Sequence, residues 1–213
     1  MRQISLILLK LRNIMTTFEK ALENTLIKVD DIKRKDTTYT KPGSLVYLLF
    51  GKEPSSQSMS IKCGYIGEFL AKELVEASDN CVLLPCGVQD VDGTNMDIDL
   101  IWENKITKTI HYRELKANID VDTEKIKSVV ERVKTINNYL TTKYPEYTID
   151  SGVLNWSVYD RSWIIGSLNR IKKVENAGFK LDHYKEFLDL LEHQWSEEEF
   201  TNFFDGIGDT LRT

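Results

Sequence analysis

A chain of 213 residues with 41% apolar and 29% charged residues can bury one good core and is too apolar for a disordered tail. The formal net charge of −5 excludes a generally polycationic nucleic-acid binder, while leaving room for a local basic cleft. The cysteines Cys63, Cys81 and Cys86 show no metal-ligand spacing, and an odd number without a secretion signal predicts reduced thiols in a cytoplasm. The opening apolar run is interrupted by Lys10 and Arg12, and no run approaches the length of a membrane span.

From Ile4 to about Val29 apolar residues recur in three- and four-residue steps, predicting an amphipathic N-terminal helix. Asp30 to Pro42 reads as a linker, Ser44 to Phe50 as a short apolar element of open type, and Gly51 to Ser60 as a serine-rich loop. Ile66, Phe69, Leu70 and Leu74 predict a helix over 66–77, with Glu68 beside its apolar face. A strand is expected near Cys81, turns over Val88–Asn95, and two strands over Asp97–Trp102 and Thr109–Ala117. Asp122 suits a helix N-cap, and the stripe Ile126, Val129, Val130, Val133, Ile136, Leu140 runs on to Pro145. A half-buried strand follows over Thr148–Tyr159, and 162–211 reads as mostly helical with a break at Ala177-Gly178. The order predicts an α/β layer fold.

The chemistry lies on two of these strands. Side chains alternate along a strand, so Asp97 and Asp99 share a face, as do Glu114 and Lys116. If the strands pair, one of the aspartates and Glu114 can meet at a divalent cation, and hard oxygen donors suit Mg2+. Such an ion acidifies water and stabilises a pentacovalent phosphate, while Lys116 orients the water, takes its proton or faces the phosphate as a charge. Glutamate and lysine also alternate on ordinary solvated strands, so the trio weighs more than either motif alone.

With these residues in view, the chain resembles the PD-(D/E)xK nuclease superfamily, and within it the type II restriction endonucleases. The resemblance covers about residues 60–160, through helix 66–77, the strands near 81, 97–102 and 109–117, helix 123–142 and strand 148–159. It implies a restriction-endonuclease-like mixed central sheet flanked by helices, here in a single domain over 1–213 with a helical arm at 1–30 and a helical part at 162–213. It sets the first acid at Asp99, directly before Leu100-Ile101-Trp102, with Asp97 as the other registration, and the remaining pair at Glu114 and Lys116. Glu68 matches the leading-helix glutamate that reaches toward the metals in many members. Asn118 and Lys125 match positions that hold backbone phosphates in several restriction enzymes, or else they cap and solvate. The proline that often precedes the first acid is absent.

Ser56, Gln57 and Lys62 are candidate DNA contacts against the alternative of a flexible polar loop. Asn155 and Arg161 are candidates at a polar edge around Trp156. His111 is a candidate for approaching phosphate beside Arg113. The leading expectation is a bacterial, cytoplasmic, Mg2+-dependent endonuclease cutting double-stranded DNA as a homodimer. The alternatives are a cleavage subunit beside a separate recognition subunit, a repair nuclease of the same fold, and a non-catalytic protein-binding scaffold.

Overall fold

The computed structural model describes residues 16–117, 123–163 and 173–212, with 123–125 and 212 by backbone alone. Helix α1 (Thr17–Lys33) starts from a capping box in which Thr16 and Glu19 exchange side-chain and backbone bonds. Thr16 is extended, so the helix predicted from Ile4 does not run unbroken to Val29; Ile4–Met15 lie outside the described residues. A six-residue helix α2 (Leu45–Phe50) leaves all of its apolar side chains at least partly exposed, Leu48 by 78%.

Helix α3 (Ser56–Glu76) absorbs much of the predicted serine loop, because Ser55 accepts the Ser58 amide at 3.2 Å and caps it. Four short strands follow: β1 (Cys81–Leu83), β2 (Gly87–Val91), β3 (Thr94–Ile98) and β4 (Leu100–Asn104). β2 and β3 form a separate hairpin where only turns were expected, closed by Asp92 and Gly93 at φ 49° and 83°. The predicted strand 97–102 is therefore two strands, parted at Asp99.

β5 (Thr109–Lys116) pairs antiparallel with β4, and helix α4 (Thr123–Lys143) crosses over to β6 (Thr148–Asn155), which runs parallel to β5. A further strand β7 (Lys180–His183), parallel to β6, lies in the region read as helical, and helices α5 (Tyr184–Leu191) and α6 (Glu197–Arg212) end the chain. The main sheet has the order β1-β4-β5-β6-β7. Leu100, Trp102, Leu115 and Leu154 pack one face against residues of α3, α5 and α6; Ile101, Tyr112 and Val153 pack the other against Val133, Ile136 and Leu140 of α4. This is a mixed α/β architecture with a central sheet flanked by helices. No helix among the described residues is long and apolar enough to cross a membrane.

Candidate active site at the end of strands β4 and β5

β4 and β5 pair with Leu100 opposite Arg113, so the same register carried one residue further sets Asp99 opposite Glu114. The ladder has stopped there, and the Asp99 carboxylate takes its place, its Oδ2 accepting the Leu115 amide at 2.8 Å. Along β5 the side chains alternate. Leu115 enters the core with α3 residues, while Tyr112, Glu114 and Lys116 turn toward α4.

Glu114 is 3% exposed, and such a buried carboxylate must find donors. It finds three. Lys116 Nζ donates to Oε1 at 2.8 Å, and the Tyr112 hydroxyl and Arg132 Nε each donate to Oε2 at 2.8 Å. Lys116 and Arg132 both remain partly open to solvent. A second Arg132 nitrogen donates to the Asp97 carbonyl, tying α4 to the end of β3.

The field of this cluster shows in its carboxyl groups. Burial, and then the neighbouring Glu114 charge, push the Asp99 carboxyl up to about 6, against the opposing Leu115 amide and Lys116. Burial also raises Glu68; Lys72 and Lys116 oppose the rise, while Asp97 and Glu114 reinforce it. Glu68, Asp97, Asp99, Glu114 and Lys116 are thus electrostatic neighbours, and the half-exposed Glu68 reaches them from α3. Of the two aspartates, Asp99 stands in register with Glu114, while Asp97 is an exposed residue of the β2–β3 hairpin.

The remaining candidates are scattered. Ser56 and Gln57 are exposed in the first turn of α3. Lys62 is 6% exposed and donates to the carbonyls of Lys33 and Lys35 and to Thr37 Oγ1, so its ammonium caps α1 instead of facing solvent. Asn155 is buried opposite Lys116 in the parallel register, and its Oδ1 has no protein partner. Arg161 is held by Glu175 at 2.5 Å. Asn118 lies outside the described residues, as does the Lys125 side chain. His111 lies on the face away from Glu114, stacked on Trp102 at 4.8 Å and bonded to Asp150 at 2.9 Å.

Tyr112 and Arg132 were not anticipated from the sequence. The available signal for Arg132 was its spacing, three residues after Val129 and four before Ile136, which sets it at the edge of the apolar stripe of α4.

Among the described residues no group of three His, Cys, Asp or Glu side chains forms a ready metal site. Mg2+ asks for less, since one or two carboxylates with water and substrate phosphate commonly hold it. The opposed Asp99 and Glu114 supply hard oxygen donors of that kind, with the Asp99 carboxyl raised first by burial and then by the Glu114 charge. The donor set fits a hard cation. No family model, no curated protein and no solved structure matches the chain, so a functional assignment rests on these side chains alone.

Proposed function

We propose that the chain is a Mg2+-dependent endonuclease of double-stranded DNA, with a restriction-endonuclease-like PD-(D/E)xK core, acting as a site-specific type II enzyme. The observation that carries the proposal is the meeting of Asp99 and Glu114 across one strand register, with Lys116 bonded to Glu114. The sequence of leading helix, antiparallel strands, crossover helix and parallel strand supports it. Mg2+ on Asp99 and Glu114 would supply a more acidic water and offset charge on the pentacovalent phosphate. Tyr112 and Arg132 hold the Glu114 carboxylate in one orientation. Lys116, positioned by Glu114, offers its ammonium to the attacking water or to a phosphoryl oxygen. A palindromic site would engage two copies related by a twofold axis.

The test is cleavage of mixed-sequence duplex DNA with Mg2+ by wild type, Lys116→Ala and Arg132→Ala, with an EDTA control. Discrete fragments are expected from wild type and none in EDTA. Lys116→Ala should be slower by at least about 100-fold, and Arg132→Ala by roughly 10- to 100-fold. Fragments with defined ends distinguish a restriction enzyme from a repair nuclease that selects DNA by shape. Failure of wild type to cut any duplex across varied sequence overturns the proposal.

A further inference from the structure

An endonuclease with a net charge of −5 needs a local source of positive charge to hold its substrate. Residues 33–62 carry six Lys or Arg against two Asp or Glu, so the chain is electrostatically divided. Within this stretch the segment that follows α1 and the first half of α3 line an open cavity of about 650 Å³. Arg34, Lys35, Gln57, Lys62 and Tyr65 line it, with Asp36 as its one acid.

Lys62 organises the site. Its buried ammonium bonds the Lys33 and Lys35 carbonyls at 3.0 Å each and Thr37 Oγ1 at 2.6 Å, fixing the path of the chain from which Arg34 and Lys35 project. Lys35 Nζ lies 4.4 Å from the centre of the Tyr65 ring, so this cation is held in place before any ligand arrives. Arg34 and Lys35 are both exposed.

The cavity is also aligned with the acid cluster. Gln57, Ile61, Tyr65 and Glu68 follow four- and three-residue steps on α3 and so share one helix face. Gln57 to Glu68 spans about 16 Å of helix axis. One strand of duplex DNA places a phosphate about every 3.4 Å along its axis, so this face matches a run of roughly five.

We propose that the cavity between α3 and the segment following α1 is a phosphate-backbone subsite, through which Arg34 and Lys35 hold the DNA strand that continues past Glu68. The inference rests on the nuclease proposal and adds to it the place where flanking DNA is gripped.

The test is fluorescence anisotropy with a labelled mixed-sequence duplex in EDTA, over a salt series. Wild type, Arg34→Glu/Lys35→Glu and Arg34→Gln/Lys35→Gln are compared, and thermal melting checks that each is folded. The reversal should weaken affinity at least about tenfold and reduce the slope of log K against log salt by about 2. The glutamine pair removes the same two cations, so it should lose about the same slope, with an affinity between the reversal and wild type. If wild type binds and cuts DNA and neither double variant changes affinity or slope, the subsite is wrong and the nuclease proposal stands. If wild type neither binds nor cuts any duplex, both are overturned.

Discussion

Asp99 sits just before β4 begins, with Leu115 donating to its carboxylate and Glu114 facing it across the register. Burial and that second negative charge raise its carboxyl to about 6 from an ordinary 3.8. The sign of the effect on stability follows. Between these pH values the folded chain binds the proton more tightly than the unfolded chain does, so stability falls as pH rises. The contribution is fully present below about 4 and lost as pH passes through about 6, a change of roughly 3 kcal/mol. Asp99→Asn removes the titrating group. Urea unfolding in EDTA should therefore show wild type losing stability relative to Asp99→Asn between about pH 4 and 7, ending with the variant the more stable near neutrality. A constant difference between the two proteins across that range would rule the argument out. Charging Asp99 is also what hard-cation binding requires, so the same residue that strains the metal-free fold suits the proposed site.

At the scale of elements, the approach of α3 to the sheet depends on Gly67. A Cβ there would overlap the Trp156 indole, and the next residue is Glu68. The glycine thus sets how closely the helix lies on the sheet end and how near Glu68 comes to Asp99. Gly67→Ala should destabilise the protein by about 1–3 kcal/mol, because the helix must retreat or the indole must turn. In a Trp156→Leu background the same substitution should cost much less, and a double-mutant cycle by urea denaturation measures the coupling. Additive effects would show that the two residues do not compete for the same space. Such a close approach cannot be read from a single sequence, where Gly67 is one glycine in a helical stripe. Other features were legible. The α4 stripe and the alternation along β5 gave Glu114 and Lys116 a common face, because burial on one side imposes the matching period. The β2–β3 hairpin was equally visible in Asp92-Gly93, a signal of a two-residue turn, but the surrounding acids and glycines read as an irregular loop. β7 has only four residues, Lys-Leu-Asp-His, and owes its place to parallel pairing with β6 and to Arg113, neither of which periodicity carries. Arg132 was hidden for a similar reason: its role comes from a carboxylate eighteen residues away in sequence.

For the molecule as a whole, the sheet is tied together behind the candidate site by one guanidinium. Arg113, adjacent to Glu114 on the opposite face, is 1% exposed. Its Nε donates to Asp182 of β7 at 2.6 Å, and its Nη2 to Asp150 of β6 at 2.8 Å. Its Nη1 donates to the Tyr112 and Asp150 carbonyls. Burial raises the Asp150 carboxyl, but the His111 hydrogen bond and the Arg113 charge outweigh this and hold it well below its ordinary 3.8. Its stability contribution is therefore present above that ordinary value and is lost as pH falls below it, opposite in sign to the contribution of Asp99. Arg113→Met keeps much of the side-chain volume and leaves two carboxylates without their cation, which should cost about 3–5 kcal/mol at neutral pH. Acid should narrow the gap. In the variant a half-buried Asp150 without the Arg113 cation takes up a proton more readily and so recovers stability, while wild type still keeps its ion pair at pH 4. Urea midpoints near pH 7 and pH 4 should thus differ less at the lower value. Adding Asp150→Asn and Asp182→Asn to Arg113→Met should restore much of the stability by removing the unpaired charges. An equal loss at both pH values, or no recovery in the triple variant, would mean that Arg113 acts through packing on Trp102, whose ring centre lies 5.8 Å away, and not through charge.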